Sequence, residues 1–109
     1  MDDELRALEA QLRARRTALL ERLEEVRRAS AEQRSPDWSE QAQERQNDEV
    51  LEGIRRETEQ ELKQVSLALE RIAAGEYDLC SRCGERIPLA RLRAVPYTSL
   101  CIECASRAG

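Results

Sequence analysis

The chain contains no histidine and no phenylalanine, and its only aromatic residues are Trp38, Tyr77 and Tyr97. The missing histidine removes the commonest general base and the usual nitrogen ligand for metals. No serine or histidine constellation and no phosphate-binding loop is present, so the residues read as non-enzymatic. Few aromatics and 37% charged residues leave little material for a large core in 109 residues. A long helical interface and a bound metal can replace such a core. No apolar run approaches the roughly 20 residues that cross a bilayer. No secretory pattern is visible either, and a cytoplasmic location is expected. Net positive charge is also lacking. The formal value of −4 argues against general nucleic-acid binding. That charge is unevenly placed, because residues 30–49 hold six acids and two bases, a surplus equal to the whole net charge.

What the chain does have is four cysteines, all near its C-terminal end. They form two pairs, Cys80-Ser81-Arg82-Cys83 and Cys101-Ile102-Glu103-Cys104. Two C-x-x-C pairs at this separation match a tetrahedral four-cysteine zinc site. Two residues between thiols let one tight turn aim both sulfurs at one ion. The intervening stretch is long enough for a short hairpin or ribbon that returns the second pair. Gly84 suits the left-handed conformation that such knuckles often need. Disulfides or redox chemistry are the competing reading. A thioredoxin-type motif, however, needs a βαβ context that is not seen here. With four sulfur ligands and no open position, such a site is structural rather than catalytic, and one structural Zn²⁺ is expected on Cys80, Cys83, Cys101 and Cys104. Ile87, Pro88, Leu92, Val95, Pro96 and Leu100 are candidates for a small apolar set around it. Four thiolates on Zn²⁺ leave a formal charge of −2, which Arg82, Arg86, Arg91 and Arg93 can offset. The same arginines can serve as a contact surface for an acidic partner.

The rest of the chain reads as two helices. Over residues 2–33, Leu5, Leu8, Leu12, Leu19, Leu23 and Val26 fall at coiled-coil spacings. Over residues 37–74, Leu51, Ile54, Thr58, Leu62, Val65, Leu69 and Ile72 form a second stripe. Gly75 is placed to cap that helix. Gly53, inside it, is expected to let the helices approach closely near Leu19 and Leu20. Pro36 disfavours one continuous helix, and a short connection makes the two helices antiparallel neighbours within a monomer. The fold class is therefore mainly α. Residues 1–75 are expected to form an antiparallel two-helix coiled-coil hairpin with its tip near 30–42, and residues 76–109 a four-cysteine zinc-finger module. From Ser30 to Glu49 the only large apolar side chain is Trp38. An acidic, weakly stitched tip suits insertion into a polar or cationic cavity on a partner. Asp37-Trp38-Ser39-Glu40 also fits a helix capping box, and Ser35-Pro36 offers another helix start.

With Gly75-Glu76-Tyr77-Asp78-Leu79-Cys80-Ser81-Arg82-Cys83-Gly84, Ile87-Pro88-Leu89-Ala90-Arg91-Leu92, Ala94-Val95-Pro96 and Leu100-Cys101-Ile102-Glu103-Cys104, the chain resembles the DksA/TraR family of bacterial RNA polymerase regulators. Hairpin and zinc module follow in the family's order and cover most of the chain. The longer members carry extra segments at both ends. The resemblance implies a regulator that inserts a coiled-coil tip into the secondary channel of RNA polymerase, altering initiation complexes without reading promoter sequence. The longer members often carry D-x-x-D-x-A at the tip. The matching stretch here is Asp37-Trp38-Ser39-Glu40-Gln41-Ala42, with Glu40 in place of the second Asp. Asp37, Trp38, Glu40 and Ala42 are thus the implied partner-binding residues. Family positions that help bind the alarmone ppGpp correspond to Gln64, Val95 and Ala105, none basic, which argues against a ppGpp response. Two other classes stay open: a zinc-containing coiled-coil adaptor, and a thiol or zinc redox sensor.

Overall fold

The computed structural model describes residues 2–33 and 41–108. These residues form four helices, α1 (Asp2–Gln33), α2 (Gln41–Ala73), α3 (Leu89–Ala94) and α4 (Ile102–Ala108). Among the described residues there is no strand, only one isolated antiparallel bridge between Leu79 and Arg86. The fold is mainly α, an antiparallel two-helix hairpin followed by a zinc-finger module. The first helix covers the residues read from its stripe. The second is described from Gln41, and the expected starts, the capping box of Asp37 with Glu40 or Ser35-Pro36, lie outside the described residues.

Contacts group the chain into two compact units, one of Met1–Arg16 with Gln64–Gly109 and one of Thr17–Lys63. In the first, α1 contributes Leu8 and Leu12 and α2 contributes Val65, Ala68 and Leu69, all buried. Tyr77, Ile87 and Leu92 join them, each 1% exposed or less. Ala68 lies outside the stripe of large residues read from the sequence, yet it is buried beside it. In the second unit Leu19, Val26 and Thr58 are buried. Thr58 is a polar residue in an apolar stripe, and its hydroxyl donates to the Ile54 carbonyl at 2.6 Å. That bond to the preceding turn satisfies the hydroxyl and lets a threonine occupy the stripe.

The second unit packs loosely. Leu20, Leu23, Val26 and Leu51 line a cleft of about 840 Å³, whose rim carries Glu24, Arg27, Asp48, Glu49 and Glu52. Leu20 and Val50 are exposed. The expectation of close helix approach at Gly53 is overturned here: a Cβ built at Gly53 meets nothing within 4 Å. Too few large apolar side chains face one another in this unit to draw the backbones together. The solvated faces carry charge pairs one turn apart, with Arg27 gripping Glu24 and Arg55 gripping both Glu52 and Glu59. The guanidinium of Arg27 holds the Glu24 carboxyl below its usual range, and that of Arg55 does the same for Glu52.

Candidate metal centre

The end of α2 sets where the cysteines begin. Gly75 has φ of 74°, a value that only glycine adopts without strain. Its N–H donates to the Ile72 carbonyl at 3.1 Å, and the Glu76 N–H donates to the Arg71 carbonyl at 2.8 Å. This pair of bonds is a Schellman motif, and it closes the helix where the sequence places the C-cap glycine. Tyr77 follows, 1% exposed, with its hydroxyl donating to the Pro96 carbonyl at 2.8 Å. Burial pushes its phenol above the ordinary value.

The first thiol pair sits on a knuckle. The Ile87 N–H donates to the Asp78 carbonyl at 2.7 Å and the Cys80 N–H to the Glu85 carbonyl at 2.8 Å. Between them lies the Leu79–Arg86 bridge. The Gly84 N–H then donates to the Cys80 carbonyl at 2.9 Å, with Gly84 at φ of 78°. The connection to the second pair is not the hairpin or ribbon expected from length alone. It folds instead as α3, which buries Leu92, and a turn in which the Thr98 N–H donates to the Val95 carbonyl at 3.0 Å. Cys101 immediately precedes α4 and Cys104 lies within it, so helical geometry aims both thiols the same way. The Ser81 N–H donates to the Ser99 carbonyl at 2.8 Å and ties the two pair-bearing segments together.

The four Sγ atoms all lie within 4.8 Å of one another. The separation between Cys83 Sγ and Cys101 Sγ is 3.7 Å. A disulfide would need about 2.05 Å. A tetrahedral zinc with Zn–S bonds of about 2.3 Å needs sulfurs about 3.8 Å apart. The donor set therefore fits zinc, and the cofactor is one structural Zn²⁺, which Cys80, Cys83, Cys101 and Cys104 would hold. Cys80 and Cys104 are buried, whereas Cys83 is exposed.

Electrostatics give the same answer. Backbone N–H groups of Cys101, Cys83 and Arg82 converge on the Cys80 sulfur and hold its thiol down at about 6. Cys104 is pushed up to about 12 by its bond with the Cys101 thiol and by burial. The Glu85 amide lowers the Cys83 thiol, but burial and the Cys80 and Cys101 thiols outweigh it, and the net shift is upward. Four adjoining thiols cannot all ionise alone. A bound divalent cation supplies the missing positive charge and deprotonates its ligands.

The arginines around the centre divide by role. Arg91 donates from Nε to the Leu100 carbonyl at 3.0 Å and from Nη2 to Thr98 Oγ1 at 3.3 Å, bracing the residue before Cys101. Arg93 pairs with Glu4 of α1 at 2.9 Å, and Arg86 lies 3.7 Å from Asp78. Three of the four are thus engaged within the chain. The expected apolar set also needs correction. Ile87 and Leu92 are fully buried, but Val95 is 43% exposed and Pro88 is exposed as well. Tyr77, between the end of α2 and Cys80, supplies buried volume beside Ile87 and Leu92. Arg71 was missed too, although a lone arginine four residues before a C-cap glycine is a legible signal for carbonyl capping. Of the tip residues, Asp37, Trp38 and Glu40 lie outside the described residues, and Ala42 belongs to the first turn of α2.

Comparison with known proteins covers nearly the whole chain. A family model described as DnaK suppressor protein-like, N-terminal domain, matches residues 8–72. A second, the prokaryotic dksA/traR C4-type zinc finger, matches residues 75–108. The chain is 38% identical over 87 residues to an uncharacterised protein of Aquifex aeolicus, covering 79% of this chain and 60% of that protein. It is 37% identical over 59 residues to general stress protein 16O of Bacillus subtilis, covering 54% of this chain and 34% of that protein. The matches thus span 60% or less of these relatives' length. Among solved structures, transcription factor DksA2 from Pseudomonas aeruginosa aligns with a TM-score of 0.85 at 27% identity, over 97% of this chain and 83% of that one. The solution structure of DnaK suppressor protein from Agrobacterium tumefaciens aligns with a TM-score of 0.61 at 42% identity, over 94% and 91%.

Proposed function

The chain belongs to the DksA/TraR family, and from that premise we propose that it is a non-enzymatic bacterial transcription regulator that binds RNA polymerase. It inserts the tip of its helical hairpin into the polymerase secondary channel and modulates initiation complexes. In this reading residues 1–75 are the inserting element and residues 76–109 the zinc-held module. The protein acts as a cytoplasmic monomer, without contacts to promoter sequence.

One observation carries the reading: the family's helical and zinc-finger models match consecutive parts of one short chain, at residues 8–72 and 75–108. Residues 30–49, which hold the acidic surplus, run from the end of α1 into the first turns of α2, with Asp37 and Glu40 between the two helices in sequence. A carboxylate-rich tip is suited to a cavity that holds a catalytic cation. No helix among the described residues is long and apolar enough to cross a membrane.

The test is direct binding to purified RNA polymerase, with a known secondary-channel factor as competitor. The proposal expects saturable binding that the competitor displaces. Absence of binding, or binding indifferent to the competitor, would favour a coiled-coil adaptor for some other protein.

A further inference from the structure

Arg71 lies in the last turn of α2, and both its backbone and its side chain engage the short junction that follows. Its carbonyl accepts the Glu76 N–H at 2.8 Å. Its Nη2 donates to the Glu76 carbonyl at 2.8 Å and also to the Leu79 carbonyl. Its Nε is buried and has no hydrogen-bond partner among the described residues. An arginine serving only solubility would turn that nitrogen to water. This one leaves it unpaired and keeps one arm of the fork on two carbonyls.

Leu79 is not an incidental acceptor. It forms the bridge with Arg86 across the knuckle. The next residue is the ligand Cys80, whose N–H donates to Glu85. One guanidinium therefore connects the last turn of α2 to the residue beside the first metal ligand.

We infer that Arg71 is a positioning residue that couples zinc occupancy to the order of the α2 C-terminus. Gathering four thiolates on the ion fixes the knuckle and, with it, the Leu79 carbonyl, which holds Arg71 across the helix end. Loss of the ion relaxes residues 79–86, the Leu79 acceptor moves away, and the last turn of α2 loses a restraint. The coupling is reciprocal: an ordered helix end strengthens zinc binding by the same factor by which zinc orders the helix end. Both bonds come from the one Nη2, whose two N–H groups the planar guanidinium aims in fixed directions; a lysine ammonium has enough donors, but its flexible stem does not fix their aim. The inference stands on the chain alone and is independent of the polymerase proposal.

The test is amide hydrogen exchange on the full chain, loaded with one equivalent of zinc and again after chelation, for the parent and Arg71→Lys. A chromogenic chelator gives the zinc affinity of each. In the parent, amides of residues 72–76 should lose protection when zinc is removed. In Arg71→Lys they should already be weakly protected with zinc bound and respond little to its removal. Zinc affinity should fall about fivefold, while the Leu92 amide stays protected as evidence that the loaded module is folded. A variant with parental zinc affinity and a parental zinc response at residues 72–76 would overturn the inference. So would a parent chain whose 72–76 amides exchange identically with and without zinc, whatever the variant does.

Discussion

Arg71 and Glu76 are bonded in both directions: the Glu76 N–H donates to the Arg71 carbonyl at 2.8 Å, and the Arg71 guanidinium donates to the Glu76 carbonyl at 2.8 Å. The loop between them closes only because Gly75 takes a positive φ. Every later residue of the module is aimed from this corner. The left-handed glycine at this corner and the helical glycine within α2 should therefore respond oppositely to the same substitution.

Gly75→Ala forces a Cβ into the left-handed region and should lower stability by about 1 kcal/mol or more. Gly53→Ala meets no atom within 4 Å and replaces a poor helix former by the best. It should raise stability by about 0.5–1 kcal/mol. Urea midpoints of the two variants, measured with zinc bound, should move to opposite sides of the parent. A destabilised Gly53→Ala would mean that the helices approach more closely there than the structure has them.

The Tyr77 hydroxyl has one acceptor, the Pro96 carbonyl, in a site where the ring is almost fully buried. Tyr77→Phe keeps the ring's packing and removes the donor, leaving a carbonyl unsatisfied. The expected loss is about 1–2 kcal/mol. Zinc stoichiometry should stay at one per chain, since none of the ligands moves. Thermal denaturation of the loaded variant beside the parent measures the first quantity, and metal analysis the second.

The thiols set opposite pH responses for metal-free and loaded protein. In the metal-free chain Cys104 is pushed up to about 12. A thiol raised in the folded state contributes stability that is present below its unfolded value and lost as pH rises above it. Cys80 is held down at about 6, and its contribution is lost as pH falls through that value. Zinc-free protein should therefore weaken in alkali, between about pH 9 and pH 12. The loaded protein should not weaken there, because its ligands are already deprotonated. On acidification protons compete for the thiolates and zinc is released, which loosens residues 76–108 while much helix remains. Far-UV circular dichroism and a zinc indicator followed across pH check both limbs. An alkaline response unchanged by zinc would contradict the assignment of the ligands.

Most of this arrangement was legible in the residues. Leucines at heptad spacing mark both helices, because burial of one face is what makes such a helix stable. Cysteine spacing marks the metal centre, because chelation geometry limits which spacings reach one ion. What was not legible is how the 17 residues between Cys83 and Cys101 pack. That stretch is too short for a periodic signal, and α3 is fixed instead by the burial of Leu92 against the rest of its unit. Arg71 and Arg91 act through backbone carbonyls, and a carbonyl leaves no mark in the sequence at the position that needs a donor. Gly53 misled for a related reason: a glycine shows that a side chain is missing, not that a neighbour fills its place.

The alarmone ppGpp should change this protein's effect on transcription little or not at all. Phosphate groups need charge-assisted donors. The three positions implied by the family are occupied by Gln64, Val95 and Ala105. Gln64 and Val95 are exposed and available for contact, but neither carries a cation. Transcription in vitro with and without ppGpp, on polymerase lacking any other ppGpp site, isolates the contribution of this chain. A large gain there would show that other cations, such as Arg93, replace the missing ones.

The carboxylates of Asp37 and Glu40 should matter more for regulation than for polymerase affinity. In sequence they lie between α1 and α2, within the stretch of residues 30–49 whose surplus of acids equals the whole net negative charge. Most residues of the chain belong to the helices and the zinc module. A carboxylate between the two helices in sequence contributes mainly by acting on charge within the partner, such as a catalytic cation or its mobile loops. The structural alternative is that the two residues only cap α2 as a capping box. The double variant Asp37→Asn with Glu40→Gln separates these roles, because Asn and Gln retain capping ability while losing charge. Polymerase affinity should stay within about threefold of the parent, zinc content should be unchanged, and the effect on initiation should be largely lost. A double variant that binds and regulates as well as the parent would reduce both residues to caps. The secondary-channel mechanism would then have to operate here without its acidic tip.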